Sequence, residues 1–294
     1  MNSFTQDLVV WIENNIERKV LLEYVSVKAG YSKWHLQRLF RAETGFTLAS
    51  YIRHRKLYRA AIMLKMTSLS VIEITERLGF STQQTFTRTF KNHFGLSPVR
   101  YRKSAHWHFE GLMPELTCEK PVLPRPQLVI TRLQPLQGIN LGYTCSSSEL
   151  DSVSFHTEKR RQLLLKVRER MEGNLPASFA ATCEPVPGNS DKIKFSLTFV
   201  TGLPQSDPRK EDPSAFLRFQ FFGTPDQLTE MQVNIYRHIM PFRRESRRSG
   251  HDYFIREGEA GLTEFSPVLK GSYYIPVSDI CHDQTISRTV VLNN

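Results

Sequence analysis

Apolar positions recur every three to four residues through the first third of the chain and every second residue through much of the remainder. This predicts a helical part followed by a part that contains strands. Phe4, Leu8, Trp11, Ile12 and Ile16 predict an amphipathic first helix over residues 3–17, with Trp11 in the core. Leu22, Val25 and Ala29 keep helical spacing up to Gly30, whose missing Cβ suits the sharp turn of a helix-turn-helix. In the helix that follows, Trp34, Gln37, Arg38 and Arg41 share one stripe while Leu36, Leu39 and Phe40 point elsewhere. One face is core; the other is polar and basic. From Thr47 to Met66 no Gly or Pro interrupts Leu48, Tyr51, Ile52, Arg55, Tyr58 and Arg59, which predicts one helix roughly 30 Å long at about 1.5 Å per residue.

The pattern then repeats. Ser70 is placed to cap a helix carrying Val71, Ile74 and Leu78, a turn follows at Gly79-Phe80-Ser81, and Gln84, Thr87, Arg88 and Lys91 form a second outward stripe. Behind it Phe86, Phe90 and Phe94 make an inward apolar ridge. Gly45 and Gly95 end the two striped helices at matching places. A duplicated helix-turn-helix is far harder to produce by chance than either half, and a helix of about 30 Å between them suits successive major-groove segments, about 34 Å apart. Arg53, Arg55, Lys56 and Arg59 on that helix either approach phosphates or form salt bridges.

Pro114, Pro121, Pro124 and Pro126 mark a linker with a boundary near residue 120. Beyond it Leu128–Ile130 and Ile139–Tyr143 read as strands and Phe155–Met171 as a helix. Ile193, Phe195, Leu197 and Phe199 alternate with polar residues, as do Leu217, Phe219 and Phe221, the mark of half-buried strands. Thr224-Pro225-Asp226-Gln227 reads as a capping box opening a helix to about Ile239, with strands near Tyr253 and over Tyr273–Val277. The expected order is strand, strand, helix, then strand, strand, helix, strand: a duplicated α+β domain.

Charge sharpens this division. Residues 1–105 hold 17 Lys and Arg against 7 Asp and Glu, whereas the remainder holds 22 of each, so the whole net charge of +10 lies in the helical part. Such a split fits a polyanion binder joined to a neutral attachment. No run of about 18 uncharged apolar residues occurs and the first ten residues lack a signal-peptide core, so a cytoplasmic protein without a membrane partner is expected. Cys118, Cys145, Cys183 and Cys281 stand apart, and His106 and His108 fall on different helix faces; neither a zinc site nor any other metal site is expected. No cofactor motif occurs, and G-x-S-x-G, H-E-x-x-H and G-x-x-x-x-G-K-[ST] are all absent, which weighs against a fused hydrolase.

The segments G-Y-S-K-W-H-L-Q-R-L-F at Gly30–Phe40 and Q-Q-T-F-T-R-T-F at Gln83–Phe90 resemble the AraC/XylS transcription regulators, and the likeness continues through Gly95-Leu96-Ser97-Pro98 and Tyr101-Arg102. It implies a DNA-binding domain over 1–105, a linker over 106–120, and a second domain over 121–294 similar to the gyrase-inhibitor-like, pseudo-two-fold, effector-binding fold of drug-sensing regulators. The first domain would be all-α, two helix-turn-helix units joined by a long linker helix. The residues expected at double-stranded DNA are Ser32, Trp34, Gln37, Arg38 and Arg41 in one groove segment and Gln83, Gln84, Thr87, Arg88 and Lys91 in the next. The resemblance also implies activation through RNA polymerase, binding as a monomer, and a groove for a small amphipathic or aromatic effector. Tyr143, Phe199, Phe219, Tyr253, Phe254 and Tyr274 are the candidate lining residues. Phe254 stands where the family's groove carries an acid, with Asp252 and Glu257 nearby, which favours an apolar or anionic ligand over a cationic one. A protein-interaction module closed by its own aromatics is the alternative for the second domain.

Overall fold

The computed structural model describes residues 3–17, 26, 30–107, 109–116, 121–171, 176, 178–200, 212–257 and 268–278. Its helical part contains α1 (Ser3–Asn15), α2 (Lys33–Thr44), α3 (Leu48–Met66), α4 (Val71–Arg77), α5 (Gln83–Phe94) and α6 (Pro98–Lys103). Leu22, Val25 and Ala29, expected on the helix before α2, lie outside the described residues. Helix α3 is the axis of this part and is buried nearly all round, as a helix shared between two cores should be. Its first half, through Leu48, Tyr51 and Ile52, packs with Leu8, Val9, Ile12, Leu36 and Phe40. Its second half, from Leu57 to Met66, packs with Ile74, Leu78, Phe86, Phe90 and Tyr101.

Among the described residues the second part is one antiparallel sheet with two α-helices. Strands β1 (Gln127–Thr131), β2 (Ile139–Ser146), β3 (Ser178–Pro185), β4 (Lys192–Val200), β5 (Ser214–Gly223), β6 (Asp252–Arg256) and β7 (Leu269–Pro276) take the order β1-β5-β7-β6-β3-β4-β2. Helix α7 (Val153–Arg170) follows β2, and α8 (Pro225–His238) follows β5. The units β2-α7-β3-β4 and β5-α8-β6-β7 therefore have the same strand-helix-strand-strand sequence, and in space β2-β4-β3 faces β6-β7-β5 across the β3–β6 pairing. This is a two-fold duplicated arrangement with β1 added at one edge. Strand β3 is a correction to the expected order, which had no strand between α7 and β4. Its Ser178-Phe179-Ala180 is buried on both faces between β4 and β6, so it shows no alternation.

The two parts share one apolar cluster. Residues of α3 to α6 pack in it with Cys145, Leu163, Val167, Leu197, Phe219 and Tyr273 of the sheet part. The connecting segment is stitched in as well, since Trp107 and Arg247 exchange backbone hydrogen bonds of 2.7 and 3.0 Å.

Candidate nucleic-acid interface and seam cavity

Helices α2 and α5 are built alike. Ser32 accepts from the backbone N–H of His35 at 3.3 Å, and Thr82 accepts from that of Thr85 at 3.1 Å, so each helix starts on a hydroxyl cap. Each ends on a left-handed glycine: Gly45, at φ 79°, donates to Arg41 O, and Gly95, at φ 75°, donates to Lys91 O. Leu36 and Phe40 anchor the inner face of α2; Phe86 and Phe90 anchor that of α5. The outer faces carry the expected residues. Ser32, Trp34, Gln37, Arg38 and Arg41 are exposed, as are Gln83, Gln84, Arg88 and Lys91, and Thr87 is half-buried. Trp34 is 68% exposed, and the Arg38 guanidinium lies 4.8 Å from its ring centre. An exposed indole of this kind gains nothing from water and presents a flat face with a cation beside it.

The cations Arg53, Arg55, Lys56 and Arg59 of α3 resolve differently from one another. Arg55 is buried and donates to both carboxylate oxygens of Glu13 at 2.8 Å, and Arg59 lies 3.6 Å from Asp151. Lys56 Nζ donates to Leu78 O at 2.6 Å. Arg53 is exposed. Salt bridges and packing thus take Arg55 and Arg59, and of the four Arg53 is the exposed one.

Between the helical part and the sheet lies a cavity of about 330 Å³. Tyr58, Ile62, Lys65 and Met66 of α3 and Arg102 of α6 form one side of it. His156 and Arg160 of α7, Gln232 and Tyr236 of α8, Asp252 of β6 and Tyr273 of β7 form the other. Asp252 is held by three donors: Tyr236 Oη at 2.6 Å, Tyr273 Oη at 2.7 Å and Arg247 at 3.0 Å. Asp252, on the strand after α8, thus lines the cavity together with Asp151, and Phe254 is core two residues on. Glu257 pairs instead with Arg218 at 3.0 Å. Cys183 also faces the cavity, but burial pushes its thiol up to about 11, so it is not a thiolate nucleophile at neutral pH.

None of the six aromatics expected at the ligand lines this cavity. Tyr143 lies one layer behind, stacked on Phe195 at 5.1 Å and bonded to His156. Phe219 is fully buried core. Phe199 and Phe254 line a smaller cavity of about 50 Å³ with Leu197 and Leu228. Tyr253 and Tyr274 pack with Ala180 and Phe216 in a separate cluster. Strand parity accounts for Tyr253 and Tyr274, which adjoin the inward-facing Asp252 and Tyr273, whereas Tyr143, Phe199, Phe219 and Phe254 share the cavity's face of the sheet but lie outside its lining. No periodicity in the sequence points to the walls supplied by α3 and α6.

Among the described residues no cluster of three or more His, Cys, Asp or Glu could hold a metal, and no helix is long and apolar enough to cross a membrane. Residues 25–104 match the family model described as a helix-turn-helix domain, which contains both exposed stripes. The chain is 52% identical over 92 residues to the multiple antibiotic resistance protein MarA of Salmonella typhimurium, covering 31% of this chain and 72% of that one. It is 30% identical over 256 residues to the transcriptional regulator Rob of Salmonella typhimurium, covering 84% of this chain and 88% of Rob. The right origin-binding protein of Escherichia coli K12 matches at 30% over 259 residues, again covering 84% of this chain and 88% of that protein. The chain belongs to the AraC/XylS transcription regulators, in their Rob-like branch.

As an AraC/XylS regulator the chain binds DNA, and the Rob match necessarily runs past the helix-turn-helix region into the sheet part. For a Rob-like regulator the sheet part is thus a component of the family architecture rather than an appendage peculiar to this chain.

Proposed function

We propose that this regulator is a cytoplasmic, effector-responsive activator that binds an asymmetric DNA element as a monomer, with α2 and α5 as recognition helices in adjacent major-groove segments. Residues 1–105 are the DNA-binding half, 106–120 the connection, and 121–294 a gyrase-inhibitor-like half that senses a small amphipathic or aromatic molecule. The supporting observation is the duplicated design of α2 and α5, each capped alike, anchored by buried aromatics and exposing a polar, basic stripe. Helix α3, of 19 residues, is about 28 Å long at 1.5 Å per residue and spaces the two stripes on the scale of one DNA turn, about 34 Å. One chain then carries two different half-site readers, so an asymmetric site needs no dimer. Arg38 and Arg88 donate to guanine edges; Gln37, Gln83 and Gln84 to adenine or backbone; Ser32, Arg41, Thr87 and Lys91 to sugar and phosphate; Trp34 packs on sugar or a thymine methyl. The seam cavity is the effector site, and promoter-bound protein recruits RNA polymerase.

The test is Arg88→Ala. It removes no core packing, so binding to the specific site should weaken by about 1–3 kcal/mol with nonspecific affinity nearly unchanged. Equal loss on both DNAs would reassign Arg88 to phosphate.

A further inference from the structure

The sheet part does not support the two halves of the helical part equally. The core of α1 and α2 takes in Met113 and Leu116 from the connection but, among the described residues, none of the sheet. The core of α4, α5 and α6 runs on into the sheet without a break. Polar contacts to this second unit converge on one short turn, between β3 and β4.

That turn is stiff for reasons its own sequence supplies. Val186 O accepts from Asn189 N at 3.2 Å, with Pro187 at the second position of the turn and Gly188, at φ 76°, at the third. This is the chemistry of a type II turn, in which Pro presets one φ and Gly takes the positive one. Val186 N donates to Lys192 O at 2.9 Å and closes the base.

The turn presents Ser190 and Asp191 side by side to α4. Ser190 O accepts from Ser68 N, in the connection between α3 and α4, at 3.2 Å, and the Ser190 hydroxyl bonds Glu73, which closes the cap of α4. One carboxylate oxygen of Asp191 accepts from Arg77 Nη1, at the other end of α4, at 2.9 Å, and from Ser147 Oγ at 2.7 Å. Ser147 is buried, and its carbonyl accepts from Arg59 of α3 at 3.3 Å. Two adjacent residues of the sheet part thus hold α4 at both ends, and bonded groups lead from Arg59 through Ser147 and Asp191 to Arg77. Helix α4 has seven residues, too few to be stable without such support, and its Ile74 and Leu78 pack with Phe86 and Phe90 of α5.

Resting on the reading of α5 as a recognition helix, we infer that Ser190 and Asp191 are positioning residues for DNA reading: through α4 they fix the seat of α5 in its groove segment, while α2 reads its own segment without them. The sheet part accordingly reaches one reader and not the other. A base contact tolerates little displacement, because a bidentate hydrogen bond needs both donors in line, whereas long Lys and Arg side chains follow a phosphate that moves. Loss of the grip therefore lowers discrimination between sequences at the α5 segment more than it lowers affinity.

The experiment uses the full chain and a duplex that the wild type selects from random-sequence DNA. Fluorescence anisotropy gives the ratio of affinities for that duplex and for single-base-pair variants across it. Arg88→Ala and Arg38→Ala mark the positions read by α5 and by α2, through the loss of discrimination there. The double variant Ser190→Ala/Asp191→Ala should lower discrimination at the α5 positions about three- to fivefold, the upper range for a half-exposed ion pair, and leave the α2 positions unchanged. The ratio is the readout because removing a carboxylate raises affinity for all DNA alike. Equal losses at both sets of positions, as general destabilisation would give, or no loss at the α5 positions, overturn the inference. Should the double variant fail to fold, Arg77→Met tests the same grip from α4, where a loss confined to the α5 positions supports the inference and unchanged discrimination overturns it. If Arg88→Ala spares discrimination everywhere, the recognition-helix reading falls and the inference with it. If Arg88→Ala erases positions that the double variant spares, the inference alone falls.

Discussion

His156 shows how one side chain at the cavity is fixed in a single charge state. A carbonyl can only accept, so the 2.8 Å contact with Leu150 O places the ring proton on Nε2, and Nδ1 accepts from Tyr143 Oη at 2.7 Å. Burial, aided by the nearby Arg160 charge, pushes its pKa down to about 4 from 6.5. Between those values the unfolded chain takes up a proton that the folded chain refuses. Stability is therefore full above pH 6.5, falls as pH drops toward 4 and levels off below it, by an amount on the order of 3 kcal/mol. Urea unfolding at pH 7.5 and pH 5 should show about 2 kcal/mol of that loss in the wild type and a clearly smaller one in His156→Gln; parallel losses would sink the assignment. At this scale the sequence is an uneven guide. The exposed stripes are legible because a helix fixes the face of Trp34 and Arg88 from spacing alone. The cavity wall is not, because a shift of one position on a strand exchanges Tyr273 for Tyr274, and because half the wall comes from α3 and α6, whose cavity face no local pattern marks.

Among the elements, α2 and α5 offer a matched pair for testing. Gly45 and Gly95 hold left-handed φ near 79° and 75°, and a Cβ at either would meet nothing within 4 Å. An alanine there incurs only the backbone strain, about 1 kcal/mol, so Gly45→Ala and Gly95→Ala should lower stability by similar small amounts and leave the exposed stripes in place. Phe90→Ala should behave quite differently. The ring is fully buried and sits 5.6 Å from Phe86, 4.6 Å from Phe94 and 5.3 Å from Tyr101, so its loss should cost about 3–5 kcal/mol and abolish DNA binding through unfolding. A Phe90→Ala protein with an unchanged melting temperature would remove the argument that α5 turns this face inward. The capped helices are readable because caps are local chemistry. Thr224 and Gln227 close the reciprocal box their spacing predicts, and Ser70 and Glu73 do the same at α4. Strand β3 is unreadable for the opposite reason: what makes it a strand is pairing on both sides, with β4 and β6, and its small residues carry no period of their own.

For the whole molecule, charge and packing divide the chain in different places. Charge separates residues 1–105, with all of the net +10, from a neutral remainder. The apolar core respects no such line, since Tyr58, Ile62, Met63 and Met66 of α3 pack into the cluster that continues through the sheet. Ion pairs cross the seam as well, Arg77 to Asp191 at 2.9 Å and Arg59 to Asp151 at 3.6 Å. A fragment ending at 105 should consequently keep the means of binding DNA but lose support for the helix that spaces its two contact surfaces. Its salt dependence should match that of the full chain, with log affinity falling by about 0.9 per log unit of salt for each phosphate neutralised and a total slope of several units. Its melting temperature should be lower than that of the full chain, which should unfold in one transition seen alike by far-ultraviolet dichroism and by tryptophan fluorescence. If the full chain melted in two separated steps, the lower matching the isolated fragment, the shared core would not couple the halves, and the sheet part would have no mechanical route to the DNA-facing helices.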